Sequence, residues 1–490
     1  MVAFDVVVVG GGPAGTAAAL EAGRAGRRTL VLEASGEPGG AGALSGGGVC
    51  LVDSPAQRAL GIADSVPVAF ADWMRCGGEE ADPAWARRYL AGARGLDAWL
   101  RALGVVWEEV IFDGDGNSVP RWHRARGGGP ELVRRLVAAT RGLPVEWRVG
   151  SRATALRPAN GALAGVAVAS DGGAYEVEAR SVVVATGGFT ADPAMVRAHG
   201  PRVRPGSRVL CGGAPQATGA GHRLLEAVGA GFVGMDRVWC YPNAVADHHD
   251  PHGRRGLVVR GLDSEVWVSS AGVRFHDESR RGGATGTPAV LAQTPSFCWS
   301  VVDGPGLEGA TLGSPEYGVH PAPDRTRIRE FLAASPAVLR AGTIAELARL
   351  AALPEGALTA TIAEFNAWVR EGLERDPRHG RPLAGLRPIE TPPFSALQFH
   401  PLARKALGGV RTDLSCRVLD GRGAPVPGLY AAGELAGMAG GHINGRAALE
   451  GTMLGPSLFS GRVAGRAAAA ERDGRAARAS ERDGRADRIV

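Results

Sequence analysis

The chain has 490 residues, of which 45% are hydrophobic and 21% are charged, and its formal net charge is +5 at pH 7. This composition excludes a disordered or fibrous protein, and the length predicts two or three domains. The charge forms no stripe that would suit nucleic acid, and no run approaches the roughly 18 apolar residues of a membrane span. We therefore expect neither a nucleic-acid nor a membrane partner. The start of the chain shows no secretory signal, which predicts a cytoplasmic location.

The first predicted elements are a strand, a glycine-rich turn and a helix. Residues 4–9 form an apolar, β-branched run, and an Ala-rich helical stretch that ends near Arg24 follows the turn. A second strand is predicted at residues 29–32 and leads directly into an acidic residue, Glu33. This order of elements is the βαβ pattern of a dinucleotide-binding unit.

The glycines of the first turn each have a physical role in such a unit. Gly10 permits the tight turn, Gly12 lets backbone N–H groups reach a pyrophosphate, and Gly15 lets the helix pack closely. The helix N-terminus then faces the anion, and Glu33, 23 residues after Gly10, lies at the sequence distance of a ribose ligand. An ordinary glycine turn is the alternative, but the surrounding elements favour dinucleotide binding.

Further strands and glycine turns follow along the chain. Short strands are predicted near residues 145–149, 163–169 and 181–185, and a glycine-rich turn at 186–188 follows the last of them. A long cofactor needs several points of close backbone approach, which glycine provides. This turn and a later one at Gly433 therefore favour FAD over NAD.

The middle of the chain differs in texture from both ends. It holds most of the histidines, several tryptophans and an amphipathic helix predicted at residues 354–374. We interpret it as an inserted domain, so the nucleotide-binding domain is discontinuous. The last helix is predicted from about Pro456, and a charged repeat at the C-terminus predicts a loosely helical tail. The predicted boundaries are 1–236 and 389–468 for the FAD-binding domain, 237–388 for the inserted domain and 469–490 for the tail.

Six stretches carry a wider resemblance: residues 9–15 (VGGGPAG), 39–47 (GGAGALSGG), 185–189 (ATGGF), 273–275 (VRF), 428–434 (GLYAAGE) and 454–465 (LGPSLFSGRVAG). Together they resemble the flavoprotein family of fumarate reductases and succinate dehydrogenases, whose soluble members include ketosteroid, urocanate and tricarballylate oxidoreductases. The resemblance extends over about residues 4–468. It implies an α/β fold with a discontinuous Rossmann-like FAD-binding domain and an inserted α+β capping domain, with the substrate held between them over the flavin.

The resemblance also implies which residues hold FAD. Glu33 would bind the adenosine ribose and Glu434 the ribityl chain, while Ser45, Gly46 and Gly47 would contact the edge of the flavin ring. The full set of expected FAD-binding residues is Gly10, Gly12, Pro13, Ala14, Gly15, Glu33, Ala34, Gly40, Ala41, Ser45, Gly46, Gly47, Ala185, Thr186, Gly187, Gly433, Glu434, Gly455, Ser457 and Leu458.

Two features of this expected site concern the flavin itself. The helix that begins near Gly455 would place its N-terminus against the flavin N1 and O2 atoms and stabilise negative charge there, although a plain helix start is the alternative. Relatives with covalent flavin carry a histidine near residues 43–45, where this chain has Ala-Leu-Ser. We therefore expect FAD to be bound non-covalently.

The chain departs from the fumarate reductases at their proton-transfer residues. The arginine that serves as proton donor in those enzymes aligns with Leu307. A relay arginine is retained as Arg260, but its acidic partner aligns with Leu257. The resemblance therefore implies that the proton relay of fumarate reduction is absent.

Two substrate-binding histidines of the family are also replaced, one by Tyr241 and the other by Lys405. Lys405 is the one lysine among 55 basic residues. Its ammonium could polarise a carbonyl, pair with a carboxylate or act as a base, and a solvated surface lysine is the alternative. Tyr241 could donate to an enolising oxygen or remove an α-proton, and a buried structural tyrosine is the alternative.

Three further residues are candidates for the substrate site. Arg446 matches the arginine that holds a substrate carboxylate in the family, and His400 and His442 are candidate acids or hydrogen-bond donors, with a structural role as the alternative. The histidines at 248–252 lie in a loop without metal-ligand spacing, so no metal site is predicted. The six scattered cysteines are expected to be reduced thiols.

These observations predict an FAD-dependent oxidoreductase that transfers hydride between flavin N5 and a carbon β to a carbonyl. Because the fumarate-type acid is missing, desaturation of a carbonyl compound is favoured over enoate or fumarate reduction, which is the first alternative. A flavin monooxygenase or oxidase, and a flavin-binding subunit that serves electron carriers, are further alternatives. The expected partners are a small carbonyl or carboxylate substrate and an external electron acceptor or donor.

Overall fold

The computed structural model describes residues 3–111, 116–159, 162–318, 323–438 and 452–486, with side chains described up to residue 471. The helices in this part of the chain are α1 Pro13–Arg24, α2 Gly40–Ala43, α3 Pro55–Ala59, α4 Val66–Gly77, α5 Pro83–Ala102, α6 Gly128–Ala139, α7 Pro193–His199, α8 Ala220–Glu226, α9 Gly286–Leu291, α10 Gly304–Glu308, α11 Arg325–Ala334, α12 Ile344–Leu350, α13 Glu355–Arg370 and α14 Leu454–Ala486. The strands are β1 Ala3–Val9, β2 Thr29–Leu32, β3 Gly48–Cys50, β4 Trp107–Ile111, β5 Trp122–Ala125, β6 Val145–Arg148, β7 Arg152–Ala159, β8 Ala162–Ser170, β9 Gly173–Val184, β10 Leu210–Cys211, β11 Phe232–Val233, β12 Val238–Ala246, β13 Gly256–Arg260, β14 Val266–Val268, β15 Cys298–Val302, β16 Thr311–Leu312, β17 Val338–Ala341, β18 Phe394–Ala406, β19 Gly409–Val410, β20 Arg417–Leu419 and β21 Pro425–Ala431.

The chain folds as two compact units. The first consists of Met1–Phe189, Ala214–Arg237 and Lys405–Val490, and the second of Thr190–Gly213 and Val238–Arg404. Both units contain helices and strands, so the prediction of a mixed α/β chain is confirmed.

The first unit is built on a largely parallel sheet. Its central strands lie in the order β6-β2-β1-β9-β21, and each neighbouring pair in this order is parallel. β1 is apolar from Val6 to Val9 and its residues there are at most 4% exposed, because a parallel strand is covered on both faces. The antiparallel strands β7 and β8 extend the sheet from β9, and β20 closes the other edge.

Small residues let α1 and α14 pack closely in this unit. A Cβ on Gly461 would overlap the carbonyl oxygen of Ala14, and a Cβ on Gly465 would overlap that of Ala18. Because the two glycines are four residues apart, they lie on one face of α14, as the two alanines do on α1. The helices can therefore approach at backbone distance, which fixes the start of α14 near the first glycine turn.

The second unit contains an eight-stranded sheet with the main order β14-β15-β18-β12-β13-β16. β18 pairs antiparallel with β15 and β17, and β12 pairs antiparallel with β13. Helix α13 covers part of this unit with a face that buries Leu358, Ile362 and Phe365. These positions recur at the helical period, so the predicted amphipathic helix is present.

Two predicted elements differ in length from the observed ones. The strand predicted at 181–185 is the end of β9, which begins at Gly173. Its first half alternates between exposed and buried residues as it pairs with β8, so it lacks the continuous apolar run that marks its second half. The helix predicted at 354–374 ends at Arg370, and Gly372 beyond it has φ +70°, a conformation that terminates helices.

Two further expectations from the sequence concern the state of the cysteines and membrane-spanning helices. All six cysteines lie within the described ranges as free thiols, and five of them are buried. Within the ranges described, no helix combines the length and the apolar character that crossing a bilayer requires.

Candidate cofactor and substrate site

The turn after β1 has the geometry that close ligand approach requires. Gly10 has φ +103°, and a Cβ there would lie 2.6 Å from the carbonyl oxygen of Ala185. A Cβ on Gly12 would meet nothing closer than 4.0 Å, so the space in front of this residue is open. Gly12 is also the N-cap of α1 and makes no side-chain capping bond. The first N–H groups of the helix therefore remain available to an anion.

Glu33 follows β2 directly and its carboxylate is held in place. Its Oε2 accepts a hydrogen bond from the backbone N–H of Gly11 at 2.7 Å, and its Oε1 accepts from the N–H and the hydroxyl of Ser35 at 2.7 and 2.6 Å. Glu33 is 7% exposed, whereas Ala34 beside it is exposed. Oε1 already accepts two hydrogen bonds, but Oε2 accepts only one and keeps a lone pair that can accept from a ribose hydroxyl.

A pocket of about 600 Å³ is formed by the residues at the end of β6 and in the turn between β8 and β9. Its lining includes Gly150 and Ser151, whose backbone N–H groups donate to the carbonyl oxygens of Ser35 and Glu33 at 2.9 and 2.8 Å. The ring of Tyr175 forms another part of the lining. The backbone of the loop after β2 is thereby fixed to one wall of this pocket.

The second glycine-rich stretch packs on the first turn. A Cβ on Gly42 would overlap the ring of Pro13, so only glycine allows this approach. The Ser45 hydroxyl donates to the carbonyl oxygen of Gly42 at 2.7 Å and accepts from the N–H of Gly47 at 3.3 Å. Gly46 between them is exposed and has open space at its Cα. This turn therefore presents backbone rather than side chains to a ligand.

The turn after β9 meets the acidic residue near the end of the first unit. A Cβ on Gly188 would overlap the carboxylate of Glu434, whose Oε1 accepts from the backbone N–H of Ala406 at 2.8 Å. Gly187 has φ +77° and open space around it. The hydroxyl of Thr186 is buried and has no hydrogen-bond partner among the described residues. An unpaired buried hydroxyl at such a turn is typical of a site that a ligand completes.

The start of α14 lies against the same turns. Gly433 has φ +73°, and a Cβ there would lie 2.8 Å from the Cβ of Ala14 and 3.9 Å from the hydroxyl of Ser457. The Ser457 hydroxyl donates to the carbonyl oxygen of Met453 at 2.7 Å. Gly455 lies against Tyr89, where a Cβ would overlap the phenol oxygen. The beginning of α14 is thereby fixed beside the first turn.

The remaining expected FAD-binding positions also lie in this region of the first unit. Gly40 and Ala41 belong to α2, Ala185 donates its N–H to Val9 at 2.8 Å, and Leu458 is fully buried in α14. Open space at a helix start, an oriented carboxylate and an unpaired buried hydroxyl are what an elongated anionic dinucleotide needs. The residues present therefore fit FAD.

Lys405 lies at the end of β18, in the first unit, and is half-buried. Its ammonium contacts the sulfur of Met453, the residue just before α14. The next residue, Ala406, donates its N–H to Glu434. Lys405 is thus placed beside the start of α14 and the Glu434 carboxylate, and not in a solvated loop.

Tyr241 and Arg260 form a pair in the second unit. The guanidinium of Arg260, at the end of β13, lies over the ring of Tyr241 at 5.3 Å from its centroid. The indole of Trp239 contacts the same ring edge to face at 6.1 Å. A cation over a phenol ring contributes about 0.5–1 kcal/mol at an exposed site, so Arg260 orients the half-buried Tyr241.

His400 is a buried, neutral side chain of β18. It is 5% exposed, and its Nε2 lies 3.3 Å from the Oε1 of Gln398. Burial and, to a smaller extent, the charge of Arg208 together lower the pKa of His400 to about 4. Its Nδ1 is buried and has no partner in the described part of the chain. His400 therefore serves as a neutral hydrogen-bonding group at pH 7 and not as an acid.

The two positions that the resemblance matches to the proton relay of fumarate reductases are apolar in this chain. Leu257 is 1% exposed in a buried apolar cluster of the second unit, and Leu307 packs against that cluster. Neither can transfer a proton. Two other candidates, His442 and Arg446, lie outside the described residues.

Two residues that the sequence analysis did not select belong to the same strand as Tyr241. Trp239 and Asn243 are 7% and 2% exposed, and the indole N–H of the first and the amide oxygen of the second have no partner within the ranges described. They lie two residues on either side of Tyr241, so all three share one face of β12. The period of two along this strand is the signal that could have found them.

The cluster of histidines at 248–252 is an aromatic contact. The ring of His248 contacts those of His249 and Phe331 in tilted arrangements, with ring centroids 4.1 and 4.5 Å apart. Over the described residues, no group of three or more His, Cys, Asp or Glu side chains is arranged to hold a metal ion.

Comparison with known proteins places these observations in a family. Residues 5–454 match the model of the FAD binding domain family. A KsdD-like steroid dehydrogenase of Mycobacterium tuberculosis is 33% identical over 539 aligned positions, which cover 94% of each chain.

Two solved structures are also similar. The open conformation of a flavocytochrome c3 fumarate reductase has a TM-score of 0.75 at 27% identity, covering 96% of this chain and 78% of that one. The 3-ketosteroid-Δ4-(5α)-dehydrogenase of Rhodococcus jostii, in complex with 4-androstene-3,17-dione, has a TM-score of 0.71 at 29% identity, covering 95% and 96%.

Proposed function

Because the chain belongs to the FAD binding domain family and is therefore an FAD-dependent oxidoreductase, we propose that it acts as a dehydrogenase that desaturates a carbonyl compound next to the carbonyl group. The substrate loses a proton from the α-carbon and a hydride from the β-carbon, and an external electron acceptor removes the two electrons. The preference for desaturation over reduction rests on Leu307. This apolar residue packs against a buried cluster of the second unit and stands at the position of the fumarate reductases' proton donor.

FAD, when bound, supplies the two-electron acceptor for the hydride. We assign its pyrophosphate to the open face of Gly12 and the start of α1, its ribose to Glu33, and its ribityl chain to Glu434. The edge of the flavin ring is assigned to the backbone at 45–47 and its pyrimidine end to the start of α14. The absence of a histidine at 43–45 supports non-covalent binding.

The finer description of the fold also belongs to this proposal. The parallel sheet with α1 fits a Rossmann-like FAD-binding domain, and the second unit fits an inserted capping domain. The sequence-based domain limits at residues 236, 388 and 468 remain predictions.

We propose that Lys405 and Tyr241 handle the carbonyl group and the α-proton. The Lys405 ammonium polarises the carbonyl oxygen and so acidifies the α-carbon, and the Tyr241 side chain, acting as its phenolate and oriented by Arg260, takes up the α-proton to become the neutral phenol. The half-buried position of Lys405 supports this role, because a charge near the flavin-binding turns acts in a lower dielectric than water provides.

The substrate class that we propose is a bulky, neutral ketone, such as a 3-ketosteroid. The indole of Trp239 lies against Tyr241 and gives this part of the second unit an apolar surface that suits the body of such a ketone. The steroid dehydrogenase from M. tuberculosis, similar over 94% of each chain, supports the same class.

The proposal is tested by comparing oxidation of a saturated ketone with reduction of fumarate. Purified protein is incubated with 5α-androstane-3,17-dione and an artificial electron-accepting dye, and in a parallel assay with fumarate and a reduced dye. We expect dye reduction by the saturated ketone and no oxidation of the reduced dye by fumarate. Rapid turnover of fumarate without any reaction of the ketone would contradict the proposal.

Reduction of an enoate is the second candidate, favoured by the fold similarity to the fumarate reductase. It requires a proton donor other than the residues at 257 and 307. Oxidase or monooxygenase chemistry is a more distant candidate, and hydrogen peroxide formed in step with the product would identify it. Turnover by the purified chain alone would exclude a role solely as a flavin-carrying subunit.

A further inference from the structure

A second cavity, of about 470 Å³, lies in the second unit between α10 and the loop that leads into β18. Its apolar walls include Leu307, Pro392 and Pro393, and its polar groups include Arg340 and Ser395. None of the residues assigned above to FAD, the carbonyl or the α-proton contributes to its lining. The lining therefore has one residue in common with the argument above, Leu307, which stands at the position that the resemblance matches to the fumarate reductases' proton donor.

One side of the cavity is fixed by the buried carboxylate of Asp303. This carboxylate accepts from both terminal nitrogens of Arg387 at 2.8 and 2.6 Å and from the N–H of Thr391 at 3.2 Å. Gly304, which lines the cavity, donates its N–H to Thr391 at 3.0 Å. Burial alone would raise the pKa of Asp303, but these hydrogen bonds outweigh burial and hold it below its ordinary value. The cavity is thus preformed.

Ser395 places an unpaired hydroxyl at this cavity. The residue is 1% exposed, and its Oγ has no hydrogen-bond partner in the described part of the molecule. Burying a hydroxyl without a hydrogen-bond partner destabilises the folded chain. A ligand with a hydrogen-bond acceptor would remove that cost.

Arg340 provides a positive charge next to this hydroxyl. It is the direct partner of Ser395 across the antiparallel strands β17 and β18, so both side chains lie on the same face of the sheet, with Cβ atoms about 5 Å apart. Arg340 is exposed, and no described acidic side chain forms an ion pair with it. Its guanidinium is therefore available to an anionic ligand.

The remaining lining restricts the charge and shape of such a ligand. Glu308 contributes an exposed carboxylate, which disfavours a second negative charge, while the proline and leucine walls suit an apolar body. Guanidinium groups bind carboxylates with two parallel hydrogen bonds. We propose that this cavity binds a small monocarboxylate, whose carboxylate lies between the guanidinium of Arg340 and the hydroxyl of Ser395.

Calorimetric titration of the full-length, FAD-loaded protein with benzoate tests this site, with benzamide as the uncharged probe. We expect saturable binding of benzoate in the millimolar range and none of benzamide. Arg340→Gln should weaken benzoate binding at least about tenfold because the charge-assisted pair is lost. Ser395→Ala should weaken it about three- to tenfold, and it removes an unpaired buried group, so the variant folds.

Two control variants separate this cavity from other binding modes. Arg349→Gln removes an exposed arginine from α12, outside the cavity, and should leave the affinity unchanged. Lys405→Met should also leave it unchanged, because Lys405 belongs to the other unit and to the proposed reaction site. Absence of benzoate binding to the wild type, an unchanged affinity in Arg340→Gln, or loss of binding in Lys405→Met would each overturn the proposal.

Discussion

Lys405 is the residue on which the proposed chemistry depends most. Substitution by Met keeps the length of the side chain and its contact with Met453 but removes the charge. We expect Lys405→Met to retain FAD and to lower the rate of substrate dehydrogenation about 100-fold, the usual scale for a lost electrostatic or acid–base group. Stopped-flow spectroscopy of the flavin band measures this rate.

Lys405→Arg is the matched control, because it keeps a positive charge with different geometry. We expect it to lose less of the rate than Lys405→Met. If Lys405→Met stays within about threefold of the wild type, the residue is not catalytic.

Glu33 is the residue on which the proposed binding of the FAD ribose depends most. Glu33→Ala removes the carboxylate that would accept from ribose hydroxyls and also leaves the Gly11 N–H without its partner. We expect affinity of the apoprotein for FAD to fall about ten- to 100-fold, the effect of losing hydrogen bonds to a charged group. Fluorescence titration with FAD measures this, and Glu37→Ala, an exposed acid in the same loop, should have no effect.

His400 makes stability depend on pH. Its pKa is about 4 in the folded chain and 6.5 in its ordinary state. Between these values the unfolded chain binds the proton and the folded chain does not, so stability falls as pH decreases through this window. From pH 7 to pH 5 this loss amounts to about 2 kcal/mol.

Urea unfolding at the two pH values measures that loss. We expect the pH dependence of the free energy of unfolding to be smaller in His400→Gln than in the wild type, whereas His252→Gln, on an exposed loop, serves as control. An identical pH dependence in His400→Gln and the wild type would show that His400 is not the group responsible.

At the residue level, the sequence predicts the glycines of the turns but not the side chains whose role depends on the fold. Glycine positions were predictable because a turn that approaches a ligand excludes side chains, and this constraint is visible in the order of the residues. Trp239 and Asn243 were not predicted, since their polar atoms matter only once β12 places them on the same face as Tyr241. Burial of His400 was likewise not visible in its sequence context.

At the level of elements, the close contact between α1 and α14 predicts how glycine substitutions change the stability of the chain. Gly461→Ala would force its Cβ into the carbonyl oxygen of Ala14 and should cost about 1–3 kcal/mol by overpacking. Gly95, within α5, has no atom within 4 Å of a Cβ, so Gly95→Ala should instead stabilise the chain by about 0.5–1 kcal/mol. Thermal unfolding of the two variants should shift in opposite directions, and a shift in the same direction would contradict the packing described here.

Elements with a strong local pattern were predicted closely. β2 is observed at Thr29–Leu32, as predicted, because its apolar run is bounded on both sides by polar residues. The first half of β9 was missed, because an exposed strand that pairs at an edge has no continuous apolar run. The last helix continues through the charged repeat to Ala486.

At the scale of the whole molecule, the two compact units combine segments that are far apart in the chain. Residues 190–213 belong to the second unit, and β10 within them pairs with β18 some 190 positions later. A pairing between strands so far apart leaves no local pattern in the sequence. The cytoplasmic location and the external electron acceptor remain predictions.

An anaerobic single-turnover experiment tests the central claim most directly. Purified protein with bound FAD is mixed with one equivalent of 5α-androstane-3,17-dione without oxygen or dye, and the flavin absorbance and the steroid products are followed together. We predict that the oxidised flavin band bleaches as one desaturated ketone forms per FAD. A protein that is colourless after gentle isolation, or a flavin that stays oxidised with every saturated ketone tested but is reoxidised by enoates after chemical reduction, would contradict the account.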